Sequence, residues 1–499
     1  MRTRARWTRP VAVVMALGLV VAACGDDDDD GGSDATEAPQ ETEAPTDTEA
    51  PPDTEAPTDT EAPTDTEAPT DTEAPGGEPL PTEGSVEVAA GTVLNLDECP
   101  GDWSATQGVD GDEIRIGWTG PQSGQLAAFG QIGEGMQWYF DYINETDPIG
   151  DQQLVLVTRD DGYEAGRAVA NVEEMIATED IFAFSHAIGT PINAAIREVT
   201  NEACVPQLFN SSGFPAWGDP TNYPWNTGNI LNYVTEANIW CETIVEEFGE
   251  GATVAALYMN NDFGKSYQNT LNQCQEDGQI EIVAEALHDP AAPDVSNELT
   301  TMIGSDAQVF VAGTTAAFCP QTVATVAGSE WRPRYYMSYT CNNLASFFTP
   351  VIDAAQTLYD DGVGVRMVNS NKVCGDPAFA DDPAIQQVEQ ILEEYGGVTC
   401  ADGSFSTGIL FGQLIVDVLR ATAELPGGLN RVNLMHAIWN YDGGSDLVLG
   451  GTFKMDGVND AYWVEAGQVQ QVAVVDGALT FESVGDLVDL EGEAGSFGN

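Results

Sequence analysis

Positive charge is scarce in this chain, where 16 Lys and Arg stand against 81 Asp and Glu for a formal net charge of −65. Phosphate recognition depends on Lys and Arg, so nucleic acid is excluded as a partner. Histidine is scarcer still (His186, His288 and His436), and no C-x-x-C occurs, so neither a zinc site nor any other metal or cofactor is expected. The chain also lacks G-x-S-x-G, a Walker loop and H-E-x-x-H, so no catalytic signature supports an enzyme. Asp160 and Asp161 form an acid pair at a strand end, where such residues cap or pair structurally. The apolar run 11–23 has 13 residues, fewer than the roughly 20 that a spanning helix needs.

That short run has a different reading. Arg2, Arg4, Arg6 and Arg9 precede it, and it ends in Val21-Ala22-Ala23-Cys24. A basic start, a short apolar core and small residues before a cleavage point make a signal peptide. Small residues before cysteine resemble the bacterial lipobox, in which cleavage frees Cys24 to carry diacylglycerol; ordinary secretory cleavage is the alternative. Acyl chains bind membranes at ~0.8 kcal/mol per buried methylene, enough for two or three of them to hold a protein stably.

Residues 25–98 contain no Lys, Arg, Trp, Phe or Tyr, but hold 24 acidic residues and ten of the 27 prolines. The hexad Thr46-Asp47-Thr48-Glu49-Ala50-Pro51 recurs once with one change and then three times unchanged, to Pro75. Such a segment cannot bury enough apolar surface to offset its ordering entropy, so 24–98 is read as a disordered acidic stalk.

From 99 onward the composition is globular, and some 400 residues exceed what one core usually serves, so two lobes are expected. Eight cysteines remain beyond Cys24, and an even count in an exported chain argues for disulfides. Proximity along the chain suggests Cys241–Cys274, Cys319–Cys341 and Cys374–Cys400, which leaves Cys99–Cys204.

Strands and helices alternate. Strands are expected at 113–118, 154–157, 181–184 and 205–209, with helices at 125–142, 165–178 and 191–202. The pattern restarts with helix 233–248, followed by strands 253–258, 280–284 and 309–312 and helices 265–277 and 294–303. Two such arrays predict an α/β protein with two Rossmann-like lobes of parallel sheet. Ligands bind beyond the carboxyl ends of such strands, so the following loops are the candidate site. One loop runs His186-Ala187-Ile188-Gly189-Thr190-Pro191, with Thr190 as helix cap and Pro191 opening the helix. Its backbone N–H groups suit a carboxylate. Asn210-Ser211-Ser212-Gly213, Asn260-Asn261-Asp262-Phe263-Gly264, Gly313-Thr314-Thr315 and Ser338-Tyr339-Thr340 follow other strands. Small polar donors near Phe129, Phe263 and Tyr339 would suit a modest organic acid with an apolar part.

Several of these segments resemble one family. Ile116-Gly117, Gly120-Pro121-Gln122-Ser123-Gly124, Ala128-Phe129-Gly130 and Thr158-Arg159-Asp160-Asp161 look like branched-chain amino-acid-binding proteins of ABC importers. Asn261-Asp262-Phe263-Gly264 and Val309-Phe310-Val311-Ala312-Gly313 extend the likeness into the second array. The resemblance implies a type I periplasmic-binding-protein fold with a three-crossover hinge near Asn229, Gly364 and Gly443. It places the first lobe at 99–229 and 365–442 and the second at 230–364 and 443–490. Carried over, the carboxylate contacts fall on Thr190, Ser211 and Gly213, the shielding rings on Phe129 and Phe263, and a second-lobe contact on Thr314 or Thr315, with Thr315 preferred. Thr340 stands where amino-acid receptors hold an acid for the ligand's ammonium, so aromatic or aliphatic acids and amides compete with amino acids. The expected role is that of an extracytoplasmic, monomeric lipoprotein that captures a small solute for an ABC permease and is held to the membrane through Cys24. A sensory ectodomain acting through a separate signalling partner is the alternative.

Overall fold

The computed structural model describes residues 78–490 and 492. The signal segment, Cys24 and the repeats lie outside the described residues.

The chain is already folded before 98, where the stalk reading extended. β1 (Ser85–Ala89) and β2 (Thr92–Asn95) form an antiparallel hairpin with Val86 opposite Leu94. Val86, Val88, Leu94 and Leu96 are buried, so this stretch does have the apolar face that the repeats lack.

A first array follows: β3 (Glu113–Gly120), α1 (Gly130–Thr146), β4 (Gln153–Asp160), α2 (Ala165–Thr178), β5 (Ala183–Ser185), α3 (Thr190–Glu202), β6 (Gln207–Asn210) and β7 (Asn226–Gly228). Its strands pair in parallel in the order β4-β3-β5-β6-β7. The second array runs α4 (Tyr233–Phe248), β8 (Ala252–Met259), α5 (Asp262–Glu276), β9 (Ile280–His288), α6 (Ser296–Gly304), β10 (Val309–Gly313), α7 (Phe318–Ala327), β11 (Arg334–Met337), α8 (Ile352–Asp360) and β12 (Val365–Asn369). Next come α9 (Pro383–Ile391), α10 (Phe405–Glu424) and α11 (Arg431–Trp439), then the antiparallel pair β13 (Ala466–Val475) and β14 (Ala478–Asp489). The second sheet has the order β14-β13-β12-β11-β10-β8-β9. Every residue of β10 is buried, as expected of a parallel strand covered on both faces.

The helices α9, α10 and α11 pack in the first lobe. α1 and α10 approach closely because both carry glycine at the crossing: a Cβ at Gly135 would strike Phe405 O, and one at Gly408 would strike Ile132 O. α10 is long and apolar enough to cross a membrane, but 67% of its most apolar window is buried inside the protein. His436 Nδ1 on α11 lies 2.6 Å from Val88 O, which seats the hairpin on this lobe.

Two hinge positions differ from the sequence reading. Gly364 does not end the second lobe, because Val365 and Arg366 pair with Tyr335 and Tyr336 in the second sheet and the chain departs only after Asn369. Nor does the last crossing fall at Gly443. Val458 N–H donates to Ala90 O, and the Tyr462 hydroxyl to Pro215 O at 2.6 Å, so the first lobe holds the chain to about Trp463. Strand propensity identifies such segments, but only pairing partners assign them to a lobe.

Four disulfides, Cys99–Cys204, Cys241–Cys274, Cys319–Cys341 and Cys374–Cys400, match the pairing that proximity suggested.

Candidate functional site

Loops beyond the carboxyl ends of strands in both sheets line one cavity of about 110 Å³. That is the scale of the ~150 Å³ apolar cavity that accepts benzene in an engineered protein. The first lobe contributes Leu126, Phe129 and Ile132 around the start of α1, Tyr163 after β4, Ile188 and Thr190 before and in α3, and Ser211 after β6. α10 adds Leu410, Phe411 and Leu414. From the second lobe come Tyr233, Phe263, Thr315, Tyr339, Thr340 and Phe347, while Asn229, Ser370 and Trp463 line the crossings.

Of the seven ligand contacts expected, Phe129, Thr190, Ser211, Phe263, Thr315 and Thr340 all line this cavity. Gly213 does not. Its carbonyl accepts Tyr233 N–H at 2.8 Å, its own N–H is engaged by the Tyr233 hydroxyl, and a Cβ there would strike Leu231 O. Thr314 also turns away, with its hydroxyl 2.8 Å from His288 Nε2. Thr190 is not the helix cap. Gly189 takes that place at φ +94°, and the buried Thr190 hydroxyl lies 2.7 Å from Ser212 Oγ. Glycine is required at 189 because a side chain would meet the Tyr163 ring as well as the unfavourable φ.

The acid pair is structural. Burial alone would raise the Asp160 carboxyl, but hydrogen bonds from Ser123, Gly162, Gln122 and Arg167 hold it below its ordinary value. Asp161 is pushed up to about 6 by burial, against bonds from Tyr163 N–H at 2.8 Å and the Thr119 hydroxyl at 2.9 Å. Asp161 thereby fixes Tyr163, which sits at φ +64° on the cavity wall. Tyr163 and Tyr233 escape sequence reading because each is a single loop or helix-start residue with no periodic signal; the acid two positions before Tyr163 is its one clue.

Among the described residues, none that lines the cavity is charged. Three lining residues carry buried polar atoms without a protein partner: Thr315 Oγ1, the Tyr339 hydroxyl and Trp463 Nε1. Buried polar groups are rarely left unpaired, and these three atoms are available to a polar group that enters the cavity. The lobes meet across the site. Gln125 Nε2 donates to Ala292 O at 3.0 Å, Asn343 Nδ2 to Gly403 O at 3.3 Å, and Ser346 Oγ lies 2.9 Å from Ser404 Oγ. These bonds join the two lobes beside the cavity.

A model of the periplasmic binding protein family matches residues 113–463, which span both sheets and the cavity. The chain belongs to this family. No curated protein sequence matches it. Among solved structures, a branched chain amino acid ABC transporter from Thermus thermophilus with bound valine is similar at a TM-score of 0.66 and 17% identity, over 76% of this chain and 97% of that one. A solute binding protein from R. palustris in complex with 4-hydroxybenzoate aligns at 0.62 and 16% identity, over 76% and 97%. A fatty acid ABC transporter substrate-binding protein from Thermomonospora curvata aligns at 0.62 and 15% identity, over 77% and 95%. At these identities the likeness is one of fold. The type I periplasmic binding protein described here is therefore a solute-binding protein, and its four disulfides accord with a place outside the cytoplasm.

Proposed function

We propose that this binding protein captures a small solute with one ring or a short branched chain and one polar end, an aromatic or aliphatic acid or its amide, and delivers it to an ABC importer. In this reading it works as a monomer tethered to the outer face of the cell membrane through a lipid on Cys24. The observation that carries the ligand class is the uncharged, largely apolar wall with three unpartnered polar atoms. An α-amino acid would bury its ammonium with no carboxylate among the lining residues, a burial whose cost rises steeply without a partner. A carboxylate has the hydroxyls of Tyr339 and Thr315 and the start of α3 available. A long acyl chain exceeds about 110 Å³.

Native mass spectrometry of the gently purified protein, then thermal-shift screening with benzoate-like acids, branched aliphatic acids, their amides, and Leu, Ile and Val, tests this reading. Stabilisation by the acids or amides is expected; strong stabilisation by the amino acids alone would overturn it.

A further inference from the structure

Behind Thr340 lies a chain of hydroxyls that ends on a buried acid. Glu236 on α4 is fully buried, and its Oε1 accepts Tyr339 N–H at 2.8 Å. The Val368 backbone also donates to the carboxyl. Tyr267 on α5 donates its hydroxyl to Oε2 at 2.6 Å. The Tyr267 oxygen lies 2.8 Å from Ser338 Oγ, and Ser338 Oγ lies 2.9 Å from Thr340 Oγ1 on the cavity wall.

Each hydroxyl has one hydrogen, so the direction of the chain is set at its closed end. With Glu236 ionised, Tyr267 must point its hydrogen at Glu236. Ser338 then points to Tyr267 and Thr340 to Ser338, so Thr340 offers the cavity only lone pairs. With a proton on Oε2, Glu236 donates to Tyr267, Tyr267 to Ser338 and Ser338 to Thr340. The Thr340 hydrogen is then free for a ligand. Both directions satisfy every bond, because Thr340 N–H donates to Ser338 Oγ at 3.3 Å in either case.

We propose that Glu236 is a positioning residue that sets the hydrogen-bond polarity of Thr340, so that binding a carboxylate at the cavity requires a protonated Glu236 and takes up one proton there whenever Glu236 is ionised beforehand. The proton comes from solvent and forms the Oε2–H bond; the three hydroxyls only rotate. The inference rests on the carboxylate reading of the site. The groups facing the carboxyl from its neighbours are Tyr267 on α5, Ser338 and Tyr339 after β11, Tyr233 one turn earlier on α4, and the Val368 backbone on β12. None is a cation. Burial accordingly pushes the carboxyl up to about 8, in spite of the hydrogen bonds from Tyr267, Tyr339 and Val368.

The test is calorimetry with benzoate and benzamide in buffers of different ionisation enthalpy, from pH 6 to pH 10. Benzoate is expected to take up close to one proton at the alkaline end and to lose about tenfold in affinity per pH unit above the transition. Benzamide, which brings its own N–H donors, should lose none. Glu236→Gln places an amide N–H where the protonated acid has O–H, so the variant should bind benzoate without proton uptake and without that pH dependence. Benzoate binding with no proton uptake by the wild-type protein at the alkaline end overturns the proposal alone, and needs no variant. Retention of the full pH dependence by Glu236→Gln overturns it as well. Failure of both probes and of all the acids and amides in the panel overturns the ligand reading and takes this inference with it.

Discussion

The Phe129 ring of the first lobe meets the Phe347 ring of the second edge to face, with centroids 5.8 Å apart and planes 72° apart. Both rings also line the cavity, so one contact both walls the cavity and joins the lobes. Such pairs contribute about 0.5–1.5 kcal/mol beyond the area they bury. Because the contact exists only with the lobes together, its loss should shift the population toward the open form. Phe347→Ala is expected to weaken binding of the best panel ligand by about 5- to 30-fold, a cost of ~1–2 kcal/mol, by calorimetry. Small-angle scattering of the ligand-bound variant should show a larger open fraction than wild type.

Glu236 should also mark the stability of the ligand-free protein. Its carboxyl is raised from 4.5 to about 8 by burial, so between those values the folded chain holds a proton that the unfolded chain releases. Stability from this group is therefore full below about 4.5 and is lost as pH rises through 8, with a slope of at most about 1.4 kcal/mol per pH unit. Glu236→Gln removes that titration. Denaturant unfolding at pH 5.5 and pH 8.5 is expected to show the variant gaining stability relative to wild type at the higher pH. A difference that does not change with pH would contradict a neutral buried Glu236.

How much of this was legible depended on whether the signal was local. The helices Ala165–Thr178 and Tyr233–Phe248 lie where their apolar periodicity and flanking signals put them. The loops after the strands do line the cavity, since a parallel sheet gathers the loops at the carboxyl ends of its strands on one edge. What failed was non-local. The sequence Val365-Arg366-Met367-Val368-Asn369 looks like a strand in isolation, but its place in the second sheet comes from pairing with β11 and β13. Thr190 has the residue type of a cap, but Gly189 takes the cap position because glycine adopts φ +94° without strain. The cavity face of α10 (Leu410, Phe411 and Leu414) is indistinguishable in sequence from a core face, because the same helix also buries its other sides. Glu236 reads as one more acid on an amphipathic helix until tertiary packing encloses it.

Cys99–Cys204 closes the longest of the four disulfide loops, with its partners 105 positions apart, and ties the segment after the hairpin to the end of α3. Chain-entropy arguments give a loop of that length about 4–5 kcal/mol, with measured values commonly 2–5. The paired replacement Cys99→Ser with Cys204→Ser should lower unfolding free energy by ~2–5 kcal/mol in denaturant titration. Ligand affinity at a temperature where the variant stays folded should hardly change, because neither cysteine lines the cavity.

The tether reading makes a separate claim about residues outside those described. Cys24→Ala removes the only thiol that could carry lipid at the lipobox-like site. In a host that processes lipoproteins, the wild-type protein should fractionate with membranes and yield a diacylated N-terminal peptide by mass spectrometry. The variant should lose the acyl mass and leave the membrane fraction while binding its ligand unchanged. Membrane retention of the variant would rule out lipid on Cys24 as the anchor.

The hairpin before the first lobe gives the most direct check on where the folded body begins. Val88 is 1% exposed and its carbonyl accepts Asn440 Nδ2–H at 2.8 Å, whereas Val93 on the partner strand is 44% exposed. If 85–95 were part of an unstructured stalk, a charge at either valine would be equally harmless. In the folded hairpin, Val88→Asp forces a carboxylate into the apolar core, a cost of ~3 kcal/mol or more. Val93→Asp puts the same charge into solvent and should stay within about 0.5 kcal/mol of wild type. Chemical denaturation of the two variants side by side checks this, and equal stabilities would return the hairpin to the stalk.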